Sequence, residues 1–104
     1  MGDIVTLTSS KHSGSIRFII PTPTIEALSL NVGDIVEFQI NGIFKDKDQT
    51  KPEEPDFVTP IKANVISAGG SSLAITIRKN FVKRYDLIEG YDLIVDINLL
   101  KKKS

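Results

Sequence analysis

Two stretches decide the reading of this chain: Ala27-Leu28-Ser29-Leu30-Asn31-Val32-Gly33-Asp34-Ile35-Val36-Glu37-Phe38-Gln39-Ile40-Asn41 and, 57 positions later, Arg84-Tyr85-Asp86-Leu87-Ile88-Glu89-Gly90-Tyr91-Asp92-Leu93-Ile94-Val95-Asp96-Ile97-Asn98. In both, a leucine leads to a glycine, and an apolar residue then recurs at every second position. Working outward without a gap, residues 4–43 lie over 61–100 with eight identities: Ile4/Ile61, Ser10/Ser67, Ser15/Ser72, Ile20/Ile77, Leu30/Leu87, Gly33/Gly90, Ile40/Ile97 and Asn41/Asn98. The hydrophobic phase agrees as well, with Ile16, Phe18 and Ile20 over Leu73, Ile75 and Ile77. The chain reads as a duplicated unit.

Each unit reads as strand, strand, short helix, strand. The first strands are Asp3–Thr8 and Ile61–Ile66, followed by small polar residues suited to a chain reversal. Alternating Ile16-x-Phe18-x-Ile20 and Leu73-x-Ile75-x-Ile77 form the second strands. Thr22 reads as an N-cap and Pro23 as the first helical residue. Gly33 and Gly90 are expected to end the helices, before the strands Val36–Ile40 and Leu93–Leu99. Three strands per unit would leave an edge and an uncovered apolar face. Two intertwined units remove both, which predicts a mostly β fold: one six-stranded pseudo-twofold barrel built from two β-β-α-β repeats.

The 104 residues form one domain on this reading: repeat one at 1–43, a charged proline-rich connector at 44–60, and repeat two with a basic tail at 61–104. The connector carries eight charged residues and three prolines and is expected to be an exposed, flexible loop. No cysteine is present, which excludes a disulfide framework, a zinc ribbon and a thiol nucleophile. The lone His12 excludes a multi-histidine metal centre, and as a loop residue it reads as a solvated bystander. No apolar run is long enough for a membrane helix. Met1–Thr6 fits the loose myristoylation pattern, but Gly2-Asp3 reads more simply as the approach to a strand. A cytoplasmic chain with no cofactor, no metal, no membrane association and no enzyme chemistry is expected, as a monomer or homodimer.

Gly70-Ser71-Ser72-Leu73-Ala74-Ile75-Thr76-Ile77, continued by Phe81-Val82-Lys83-Arg84-Tyr85-Asp86-Leu87-Ile88-Glu89-Gly90, resembles the AbrB/SpoVT/MazE group of transcription regulators and antitoxins. The first copy keeps Ile20-Pro21 and Leu30-Asn31-Val32-Gly33-Asp34, which resembles the Gly-Asp box of cradle-loop barrels. The resemblance covers about 80 of the 104 residues. It implies a barrel and a DNA-binding role, with Arg17 at the arginine before the apolar strand and Lys83 and Arg84 near helical arginines. Arg78 stands where the strand-ending proline is typical, and Tyr91 replaces the Asp of the box. Both units lie in one chain, which looks more like single-chain RIFT or double-psi barrels. No glycine-rich nucleotide motif like that of the archaeal riboflavin kinases is found.

The net charge of zero hides an asymmetry: residues 1–43 and 44–60 each carry −2, and residues 61–104 carry +4. Arg78, Lys79, Lys83 and Arg84 cluster in the second repeat, with Lys62 and the Lys101–Lys103 tail as further members. With Arg17, those four are the candidate nucleic-acid contacts, as expected of phosphate-binding residues. The reading is a DNA-binding regulator or chromatin-type protein. The alternative is an adaptor barrel that binds a protein or RNA partner within a larger assembly, and a third is a degenerate nucleotide-binding barrel. Gly69-Gly70-Ser71-Ser72 reads as a hairpin turn more readily than as a phosphate cradle.

Overall fold

Strands in which every second residue is aliphatic or aromatic each have one face to remove from water. In the computed structural model, which describes residues 2–10, 14–56 and 58–103, six such strands do so by closing on one another. In chain order the elements are β1 (Asp3–Ser9), β2 (Ile16–Ile19), α1 (Thr22–Leu28), β3 (Ile35–Phe44), β4 (Ile61–Ser67), β5 (Leu73–Thr76), α2 (Lys79–Arg84) and β6 (Asp92–Lys101). The closed barrel runs β1-β2-β5-β4-β3-β6, and all of its neighbours are antiparallel. His12 and Met1 lie outside the described residues.

The ladder carries the duplication. Where β2 meets β5, Phe18 lies opposite Ile75, its own counterpart 57 positions on. Where β3 meets β6, Gln39 lies opposite Asp96, again a residue and its counterpart. The pseudo-twofold axis passes through these two pairs. The first strands depart from the gapless comparison. Thr6 pairs with Asp92 and Asn64 with Ile35, so β1 superposes on β4 with an offset of 58. The extra residue sits in the loop between β1 and β2. One residue of slip exchanges the two faces of a strand. Ile4 therefore points outward at 63% exposure, while Ile61, matched to it in the gapless comparison, is buried.

Inside the barrel, Val5, Leu7, Phe18, Val36, Phe38, Ile40, Val65, Ile75, Leu93 and Val95 make one continuous core. The Phe18 and Phe38 rings meet edge to face, 5.5 Å between centroids and 78° between planes. The helices are short plugs on this core. Pro21, not Thr22, is the N-cap of α1, and no side chain caps it. Proline's own lack of an N–H and fixed φ make it suited to a helix start. The Thr22-Pro23 pair occupies the first turn, and the Thr24 hydroxyl donates to Asp3 Oδ2 at 2.6 Å.

The glycines do not end the helices. Ser29 (φ 52) and Asp86 (φ 53), equivalent positions, take the left-handed conformation, and Leu30 N–H and Leu87 N–H close back onto Ile25 O and Val82 O. Gly33 and Gly90 lie in the following turn, with φ of 94 and 97. There, Gly33 N–H donates to Val65 O and Val65 N–H to Asp34 O, while Gly90 N–H donates to Leu7 O and Leu7 N–H to Tyr91 O. Each unit's turn thus grips the first strand of the other unit.

The connector is exposed in composition yet folded back on the barrel. Ile43 and Glu53 exchange both backbone hydrogen bonds, and Pro52 packs so closely over Gly42 that a Cβ there would come within 2.8 Å of its ring. Lys45 Nζ lies 3.6 Å from Glu53 Oε1. The segment folds back along the edge of β3 that β4 leaves free beyond Phe38, where an unpaired strand edge needs a partner.

Phe38→Ala is expected to cost about 3–5 kcal/mol, read by urea unfolding, since the site lies between two layers of side chains with no room to collapse. A double-mutant cycle of Phe18→Leu with Phe38→Leu is expected to show a coupling of about 0.5–1.5 kcal/mol from the edge-to-face pair.

Candidate nucleic-acid interface

The second strands and the second helix bring the predicted cations together. On β2, Phe18 faces the core, so Arg17 on the alternate parity faces outward, between Thr8 of β1 and Thr76 of β5. On β5 the same parity continues from Thr76 to Arg78, whose carbonyl receives Phe81 N–H and Val82 N–H and so starts α2. Lys79, Val82 and Lys83 are spaced i, i+3, i+4 and share one face of that helix. They line a groove with Ile16, Ile77 and Arg78, between α2 and the start of β2. A second depression follows across β4 and carries Lys62, Asn64 and Thr76, with Arg78 standing between the two. None of the residues lining either depression is acidic. Arg17 Nε is buried without a hydrogen-bond partner among the described residues.

Arg84 is not part of this face. One position past Lys83 on a helix is a turn of about 100°, and that carries Arg84 to the far side with Tyr85. There it borders a cavity shared with Lys45, Glu53, Glu54 and Asp56 of the connector. Arg84 is not a free cation. The acidic neighbourhood of Arg84 was not readable from the sequence.

The basic tail is also reassigned in part. Lys102 Nζ lies 2.7 Å from Asp34 Oδ2 and also reaches the Ser29 carbonyl at the end of α1. Lys103 N–H donates to Asp34 Oδ1 at 2.8 Å, Asn31 N–H to Oδ2 at 2.8 Å, and the aliphatic stem of Lys103 lies over Gly33. Asp34, buried to 1% exposure, is thus the anchor of the C-terminal strand end. The hydrogen bond from Lys102, then that from the Lys103 N–H, hold its carboxyl at about 2, against the opposing effect of burial. Tyr91, at the equivalent position, is half-buried and packs against the core. Asp92, one step on, accepts from the Thr6 hydroxyl at 2.6 Å. Lys101 pairs with Ile35, which lines the second depression.

Gly69 and Gly70 form the tight connection of β4 to β5, with Ser72 N–H donating to Gly69 O and Ala68 N–H to Ser72 O. The Gly69 N–H donates to Ser67 Oγ, so two of the four amides of Gly69–Ser72 serve the turn itself. Among the described residues no aromatic ring is exposed, and no group of three or more acidic or histidine side chains is placed to hold a metal ion. Among the described residues no helix is long and apolar enough to cross a membrane. No family model, curated protein or solved structure matches the chain.

The lowered Asp34 carboxyl sets an acid response. The unfolded chain titrates near 3.8 and the folded one near 2, so the stabilisation is complete above about pH 4 and is lost as the pH falls through 2. Thermal melts between pH 5 and about pH 2 are expected to show this decline. Asp34→Ala is expected to lower the melting temperature at pH 7 and to remove that part of the acid dependence.

Proposed function

We propose that this barrel is a non-enzymatic DNA-binding protein, a regulator or chromatin-type factor of the AbrB-like kind, that holds duplex phosphates on the face formed by β2, β5 and α2. The observation that carries the reading is the gathering of Lys62, Arg78, Lys79 and Lys83 around two depressions without a lining carboxylate, with Arg17 beside Thr76, which lines both. On a chain of zero net charge, such a one-sided field is what phosphate binding requires. The absence of exposed rings among the described residues favours a duplex over a single strand, whose binding draws on base stacking. Phosphate contacts of this kind position the protein and carry little sequence information. The sequence resemblance supports the same reading through Arg17 and Lys83, while Arg84 leaves the contact set and Lys62 enters it.

Fluorescence anisotropy of a generic duplex at about 50 and 200 mM salt tests it; four phosphate contacts predict a loss of affinity on the order of a hundredfold between the two. Lys79→Glu/Lys83→Glu is expected to abolish binding, whereas Arg84→Gln is expected to leave it nearly unchanged. No binding at the lower salt overturns the reading.

A further inference from the structure

The groove between β2 and α2 has a chemistry that phosphate contact alone does not account for. Its floor is Ile16, Ile77 and Val82, side chains continuous with the barrel core, and its rim is Arg78, Lys79 and Lys83. The cavity holds about 400 Å³, near the lower end of the roughly 300–1,000 Å³ of small-molecule sites. A phosphodiester backbone would use the rim and leave the floor in water. A ligand that satisfies both parts has an apolar body and a single anionic head.

The duplication supplies an internal control. At the positions equivalent to Arg78, Lys79, Val82 and Lys83, the first repeat carries Pro21, Thr22, Ile25 and Glu26. The apolar residue that packs the helix is kept, and the charge is absent or reversed. The barrel therefore does not need cations at these places to hold its helix, and their presence in the second repeat calls for an anionic partner. Burial of the apolar body would supply the affinity, and the rim would choose the sign of the head group.

We infer that this groove is a binding site for a small organic anion, an aromatic or branched aliphatic carboxylate, seated on Ile16, Ile77 and Val82 with its carboxylate among Arg78, Lys79 and Lys83. The inference goes beyond duplex binding and does not rest on it, although the same cations serve both.

The test is a titration of the ¹⁵N-labelled protein, followed by amide chemical shifts, with 2-naphthoate and with the matched neutral 2-naphthylmethanol. The expected result is a saturable shift confined to amides of residues 15–17, 76–79 and 82–83, with residues 19–26 of the first repeat unmoved. Naphthoate is expected to bind about fivefold or more tightly than the alcohol, the strength of one or two exposed charge pairs. Lys79→Gln/Lys83→Gln is expected to narrow the gap between the two ligands, Arg78 remaining, while the rest of the spectrum, which reports the fold, stays in place. Equal binding of the two ligands to the native protein, shifts centred on α1, or no saturable shift each overturns the inference. Because no DNA is present, a negative result here leaves the duplex reading standing, and a failed duplex measurement leaves this one standing.

Discussion

The structure depends on the need to pair the edges of two three-stranded units. Each unit alone would leave a row of unpaired N–H and C=O groups beside an apolar face. The β2–β5 and β3–β6 ladders join the units through Phe18/Ile75 and Gln39/Asp96. The glycine turns complete the arrangement, since the turn of each unit exchanges two backbone hydrogen bonds with Leu7 or Val65 of the other. Closure therefore does more than bury side chains: it leaves β2 and β5, the shortest strands, held on both sides. The cationic face is built beside them, with Arg17 on β2, Lys62 on β4, and Arg78, Lys79 and Lys83 at the start of α2 and along it.

The two turns are equivalent in backbone and different in chemistry. In the first, Asp34 is buried and ties down Lys102 and the Lys103 amide. In the second, Tyr91 fills the position, and the corresponding end of β3 continues into the connector hairpin. An ion pair at one end and a folded-back strand at the other are two solutions to one problem, the fraying of a long strand beyond its partners. Each also removes charge from the surface: Lys102 is neutralised by Asp34, and Arg84 borders the acidic connector. Arg78, Lys79 and Lys83 instead line a groove that holds no acidic residue.

Much of this was legible in the residues. The alternation Val36-x-Phe38-x-Ile40 and Leu93-x-Val95-x-Ile97 gives strands because a pleated chain places every second side chain on one face. Repetition of that pattern implied closure, because half a barrel cannot hide its edges. The candidate cations Arg17, Arg78, Lys79, Lys83 and Arg84 were readable as basic residues on the second strands and the second helix, but nothing in their spacing along the chain set Arg84 apart from the others. The helix ends were misread because glycine was assumed where left-handed backbone is needed, whereas Ser29 and Asp86 adopt it. The first-strand register was misread because one additional loop residue is invisible to a gapless comparison, although it turns Ile4 outward.

The sequence by itself therefore determined the strands, the duplication, the barrel class and the sign of the second half's charge, all of which follow from local periodicity and residue type. Only the tertiary structure decided which strands are neighbours, that the connector folds back on β3, and that Asp34 claims Lys102. It alone placed Lys62 near Arg78 and Arg84 away from Lys83. The physical reason is that periodicity is a property of neighbours along the chain. Pairing and neutralisation depend instead on residues tens of positions apart, and the closed ladder sets their distances.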